Sequence, residues 1–415
     1  MNKFAVVAAM ATALLSTTAL QAADVEVIHW WTSGGEQAAV SVFADEFEAR
    51  TEHQWVDSAI AGGETARSTV MQRALGGDPP GAAQFNPGRQ YEELIAAGLL
   101  LDLTPLAEAE NWDGIIRPEA TKATCKIDGK WWCVPTNIHS EQWAWISNAA
   151  FAKAGITDIP REIDGLVAAL PALKAAGLIP IAIGGDGGGW QITLLANALL
   201  LNILGAELRT TVIRDLDTAA AAGPEVRKVF ETIRTLSQYS DEGSVNRNWN
   251  DTTALVMSDQ AGFQIMGDWA HGEFALAGKV PGEDYTCVLG PAEVPYITLG
   301  GDIFVFFKQD DPAVEAAQLE LASTMVSPEV QVAFNLAKGS LPVRSDVDLA
   351  AADACMQTGL PLLDDPSRIA PAINIWRTEA FGQALNALFS DVWYNPDLSI
   401  EDAQAQFVDL IANAD

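Results

Sequence analysis

The chain has 415 residues, 49% of them hydrophobic, and a formal charge of −31 from 55 acidic and 24 basic side chains. That is more than one compact core normally holds, so two domains are expected. Such a charge balance argues against sequence-independent nucleic-acid binding, which needs a basic face to displace phosphate counterions, and disfavours anionic membrane surfaces as partners.

In chain order, residues 1–23 read as a cleavable secretory leader. Lys3 is the positive end, Phe4 to Leu15 the apolar stretch, and Leu20-Gln21-Ala22-Ala23 the small-residue cleavage site. The mature chain is expected outside the cytoplasm. Beyond the leader, no apolar run reaches the roughly 20 residues that span a bilayer.

Val25 to Trp31 reads as a first strand ending in a doubled tryptophan. Neighbours on a strand point to opposite faces, so at least one ring should face a crevice. In open α/β sheets, ligands sit beyond the carboxyl ends of the strands. Gly34-Gly35-Glu36 forms a tight turn, and Val40, Phe43, Ala44 and Phe47 then follow helical spacing. Two more strand–helix units are expected: His53–Ile60 with Thr65–Leu75, and Ala82–Phe85 with Gln90–Ala97, the latter ended by Gly98. This alternation argues for parallel strands flanked by helices.

Cys125 and Cys133 flank an Asp128-Gly129 turn. A three-residue loop at 128–130 would pair 127 with 131 and place the two cysteines opposite one another; a two-residue loop would put them out of register. The bridge would contribute ~2.5 kcal/mol. Cys287 and Cys355 pair by elimination, with free buried thiols as the alternative. Val134–His139, and then Trp143 and Trp145 alternating like a strand, mark the first domain crossing. The block 160–240 is helix-rich, and its Gly184–Gly189 run is a loop opening onto Trp190, without dinucleotide or phosphate-cradle spacing. A second α/β pattern runs through Phe263–Met266, Cys287–Pro291 and Asp302–Phe307. Helices follow over Pro312–Ser340, and the rest is mostly helical.

Enzyme signals are thin. The histidines at 29, 53, 139 and 271 are scattered, with no metal-binding spacing, and no nucleophile elbow is present. No metal or cofactor is expected. Binding signals are thicker: thirteen tryptophans against five tyrosines, several beside polar residues, as at His29-Trp30-Trp31, Gly189-Trp190-Gln191, Gly267-Asp268-Trp269 and Asn374-Ile375-Trp376. Aromatic plates beside dense donors and acceptors suit a sugar, whose C–H faces lie on rings while its hydroxyls need partners. Taken singly, a tryptophan is expected in the core; the doubled pair and Trp269 are expected to be ligand platforms.

Five segments carry a resemblance: Trp30–Glu36, Leu75–Pro80, Gly129–His139, Phe263–Ala270 and Lys338–Arg344. They resemble the extracytoplasmic solute-binding proteins of sugar ABC transporters, in the group similar to glucose- and maltose-binding proteins, over nearly the whole mature chain. The resemblance implies an α/β, two-lobed fold of type II kind, each lobe a mainly parallel sheet flanked by helices. It places lobe 1 at 24–137 plus 291–345, lobe 2 at 138–290 plus 346–415, and the ligand between them. It implies ligand contacts from Trp30, Trp31, Glu36, Asp268, Trp269, Asp302 and Lys338, with Trp190 aligned more loosely and His139 supporting the hinge.

Two departures stand out. Asn86, expected among the ligand-binding residues, occupies the place where glucose binders carry a histidine, and a second histidine is absent from Ala370–Trp376. A site built for one hydroxyl pattern rejects another, because a buried group left unmatched costs roughly 1–3 kcal/mol. A sugar or polyol other than glucose is therefore the expected ligand. The implied setting is the periplasm, with a monomer serving an inner-membrane permease pair and its ATPase, and no nucleic acid. The rival readings are a secreted carbohydrate-active enzyme and a sugar-sensing receptor subunit.

Overall fold

The structure, a computed structural model, describes residues 22–414. All but two residues of the expected leader, residues 1–23, lie outside the described residues.

The strands in chain order are β1 (Asp24–His29), β2 (Gln54–Ala59), β3 (Ala82–Phe85), β4 (Lys126–Ile127), β5 (Lys130–Trp131), β6 (Cys133–Pro135), β7 (Trp143–Ser147), β8 (Ile179–Ile181), β9 (Ala261–Met266), β10 (Tyr285–Leu289), β11 (Ile297–Leu299), β12 (Ile303–Phe306) and β13 (Ile369–Pro371). One lobe is built on a sheet of order β2-β1-β3-β12-β6, the other on β10-β7-β9-β8. The chain passes from the first sheet to the second through residues 136–142 and returns through 290–302. Within the return, β11 pairs in parallel with β13, tying 297–299 to 369–371.

The two-lobed α/β architecture is as expected, but the sheets are mixed rather than mainly parallel. β1, β2 and β3 run parallel, as do β8 and β9. β12 runs against β3 and β6, and β7 against β9 and β10. β7 and β12 are each the first main-sheet strand after a crossing. The chain enters from the cleft, where the parallel strands end, and so must run the other way.

The cysteine hairpin also differs from expectation. Lys126 pairs with Trp131 and Ile127 with Lys130, so the loop has two residues, Asp128 and Gly129, both at positive φ (51° and 79°). That is the turn chemistry that suits the twist of paired strands. Cys125, at the end of the helix Glu119–Cys125, still bonds Cys133, because the Trp132 amide donates to the Cys125 carbonyl and holds the flanks together. The second disulfide, Cys287–Cys355, ties β10 to the helix Ala354–Gly359.

The core of the first lobe sits between its sheet and two helices, α1 (Gly34–Arg50) and Pro328–Lys338. There Phe43 stacks on Phe334 at 4.2 Å, with Phe304 at their edge. In the second lobe Trp145 stacks on Trp143, His271 and Phe274 at 5.6–5.9 Å. The helix Trp190–Ile213 is, by length and composition, long enough and apolar enough to cross a membrane, contrary to the expectation from sequence. It is a core helix, broken at Gly205 and packed against the helices Pro224–Ser237 and Glu379–Tyr394.

Candidate ligand cleft

β1 stops at His29, so the doubled tryptophan belongs to the loop that leads into α1. His29 sets that loop: its Nδ1 accepts from the Trp31 amide at 3.2 Å while Nε2 bonds Asp57 at 2.7 Å. The two rings part company. Trp31 is 1% exposed and packs on Phe304 at 5.6 Å and Phe334 at 5.4 Å. It is a core residue of the first lobe, which corrects its expected role as a platform. Trp30 stays half-buried, with the Arg67 guanidinium 5.6 Å above its ring.

Ser33 caps α1 and places Glu36 in its first turn, where the helix dipole favours an anion. Lys338, the last residue of its own helix, reaches Glu36 Oε1 at 3.1 Å and lies 5.3 Å over the Trp31 ring. Both charges are buried, so the pair must be matched to persist.

A second cluster joins three segments. Asp268 follows β9, Asp302 precedes β12, and His139 lies on the outward crossing. His139 Nδ1 bonds Asp268, and its Nε2 bonds Asp302 at 2.7 Å. The Ser140 amide donates to Asp268 at 2.9 Å, and Asn137 and Gln84 donate to Asp302 at 2.9 Å and 2.7 Å. Burial opposes a charged imidazole, yet the two carboxylates outweigh it and raise His139 to about 9. Burial likewise opposes an ionised Asp302, but the charge and bond of His139, the Lys338 charge and the Asn137 bond hold it at about 2. Trp269 stands edge-on to His139 at 5.1 Å and lies 6.3 Å from Trp190, so two indoles flank the cluster.

The lobes touch on both sides of this site. The Gly35 amide donates to Glu273 at 2.8 Å on one flank. On the other, Arg67 and Gln90 both donate to Glu379, at 2.9 Å and 2.6 Å, and Asn374 donates to the Pro87 carbonyl at 2.7 Å.

Of the expected site residues, the structure brings Glu36 together with Lys338, and Asp268 and Asp302 together with Trp269 and Trp190. Asn86 sits at the end of β3, its amide donating to Gln90. Gln84, two residues earlier, holds Asp302 and the Trp30 amide. Gln84 was legible as the one polar side chain in a fully buried strand. Asn137 and His139 were legible only as members of the polar crossing 136–142, in which Ile138 is the one apolar residue.

His271, Asp353 and Cys355 converge closely enough to suit a metal ion. The Cys355 sulfur, however, is spent in the disulfide with Cys287, and His271 Nε2 is bonded to Asp353. A disulfide sulfur lacks the thiolate that binds metals, so the cluster does not fit one.

The family described as bacterial extracellular solute-binding protein matches residues 43–358. A probable sugar-binding periplasmic protein of Rhizobium meliloti is 37% identical over 424 residues, covering 100% of both chains. Among solved structures, a chitin oligosaccharide binding protein is similar with TM-score 0.79 at 18% identity, over 95% of this chain and 99% of its own. A solute receptor described as preferring β-D-galactopyranose is similar with TM-score 0.77 at 17% identity, over 94% and 98%. The structural likenesses carry the two-lobed fold, and the close relatives carry the periplasmic location. A family match across most of the chain, on a fold of two lobes closed over a polar and aromatic cleft, makes this chain a member of the bacterial extracellular solute-binding proteins.

Proposed function

We propose that the chain is the solute-capturing component of an ABC transporter, and that its solute is a sugar or polyol. The observation that carries this reading is the meeting of indole plates, Trp190 and Trp269, with charged acceptors and donors, Glu36, Lys338, Asp268 and Asp302, where the crossing segments meet the strand ends. Rings take the C–H face of a sugar, and charge-assisted bonds take its hydroxyls. Relatives named as sugar-binding, and a neighbour named for galactopyranose, support the same class.

No chemistry is required of the site. An Asp302 carboxyl held at about 2 is a poor proton donor, and Asp268 is engaged by His139 and Ser140, which suits binding rather than hydrolysis. In this reading the lobes are 24–137 plus 291–345 and 138–290 plus 346–415, residues 1–23 are a removable leader, and the protein is a monomer. Closure over the solute presents both lobes to an inner-membrane permease pair with its ATPase. The solute shifts that equilibrium only by its preference for the closed state. Micromolar affinity corresponds to about −8 kcal/mol, within reach of two rings and a few charge-assisted bonds.

A thermal-shift screen of the purified mature protein over galactose, xylose, arabinose, maltose, raffinose, chitobiose and polyols tests the reading. At least one should raise the melting temperature. A shift with amino acids or polyamines and none with any sugar or polyol would remove it.

A further inference from the structure

Glu379 opens the helix Glu379–Tyr394, where the Thr378 cap and the helix dipole favour an ionised carboxylate. That helix belongs to the second lobe and packs on Trp190–Ile213 and Pro224–Ser237. Both oxygens of Glu379 are nevertheless engaged by the first lobe: Oε1 accepts from Arg67 Nη2 at 2.9 Å and Oε2 from Gln90 Nε2 at 2.6 Å. One turn further on, Gln383 donates to Glu64 at 3.2 Å, so the helix meets Gly63–Leu75 of the other lobe at two successive pairs.

Each donor that Glu379 holds supports an expected ligand residue. The Arg67 guanidinium lies 5.6 Å over the Trp30 ring, and Gly63 packs so near that ring that a Cβ there would stand 3.4 Å from it. Gln90 gives its amide hydrogen to Glu379 while its Oε1 accepts from the Asn86 amide at 3.1 Å. Between Asn86 and Gln90, the Pro87 carbonyl accepts from Asn374 at 2.7 Å, and any side chain at Gly88 would run into the Asn374 carbonyl. Trp30 and the segment 86–90 are thus built on one lobe and braced from the other. A carboxylate that holds two donors across an interface acts on separation more than on approach. We propose that Glu379 is a positioning residue for the solute: without touching it, Glu379 clasps the closed lobes, fixes Trp30 and the segment 86–90, and slows release. The inference rests on the solute-capturing reading above.

The test is stopped-flow tryptophan fluorescence with galactose, xylose, arabinose, maltose, raffinose and chitobiose on the mature parent, Glu379→Ala, Glu379→Gln, Arg67→Met and the double variant Arg67→Met/Glu379→Ala. For a sugar that binds the parent, Glu379→Ala should speed release about tenfold and change association less than twofold. Glu379→Gln, which keeps the shape and one acceptor, should fall between the two. Because both single changes break the same link, the double variant should release the sugar at a rate well short of the product of the single effects. A merely structural role would lower the unliganded melting temperature of Glu379→Ala and leave its release rate at the parent value. Release at the parent rate, or single effects that multiply in the double variant, would overturn the inference and leave the sugar reading standing. Failure of every one of these sugars to bind the parent would remove both.

Discussion

The two charged corners of the cleft are built differently. Glu36, Lys338, Ser33 and Trp31 all sit on elements of the first lobe, where α1 packs along the helix Pro328–Lys338. That corner is assembled when the lobe folds. The Asp268–His139–Asp302 corner draws one carboxylate from the end of β9, another from the start of β12, and its cation from the segment between the lobes. It exists only while the lobes are together. Under the proposed function, the first corner would offer a ligand surface preformed within one lobe, and the second would couple ligand capture to closure.

Breaking the first corner should give the largest loss of stability. Trp31→Ala removes a fully buried indole from an aromatic cluster and should cost about 5 kcal/mol in urea denaturation, with little change in lobe separation. A loss under about 1 kcal/mol would return Trp31 to the role of a ligand plate.

Breaking the second corner should cost less and move the lobes. His139→Ala leaves two buried carboxylates without their shared cation, but Gln84, Asn137 and Ser140 still bond them, so about 3 kcal/mol is expected. Small-angle scattering should show a larger radius of gyration than the parent. Unchanged dimensions would mean that His139 does not couple the lobes.

The same corner sets a pH window. His139 rises from an ordinary 6.5 to about 9, so its contribution is complete below 6.5 and is lost as pH climbs through 9. Asp302 falls from 3.8 to about 2, so its contribution is complete above 3.8 and is lost as pH drops through 2. The corner is therefore strongest between about pH 4 and 6.5. Thermal scans should show an alkaline decline in the parent that is shallower in His139→Gln. An equal decline in both would assign it to other groups.

The smallest effect on stability sharpens the contrast between the paired tryptophans. Trp30→Ala gives up the Arg67 contact, worth about 1 kcal/mol or less, and should weaken sugar binding roughly tenfold. Unaltered affinity by calorimetry would take Trp30 out of the site.

Much of this was legible in the sequence. The strand–helix alternation placed β1, β2, β3, β9 and β12 within a residue or two, because each is a short apolar run set off by polar, glycine or proline residues nearby. Strand direction was not legible, since it depends on which end of a sheet the chain enters after a crossing. Of the site, the charged residues were readable through the family motifs. The fate of Trp31 was not, because residue alternation says only that neighbours diverge, not which one meets the core.

The most direct test of the central claim is a crystal structure grown with the sugar that gives the largest thermal shift. The account predicts that sugar between the lobes, its ring against Trp269 and its hydroxyls on Glu36, Lys338 and Asp302. A sugar bound on the outer face of either lobe, with the cleft residues still paired only to one another, would contradict it.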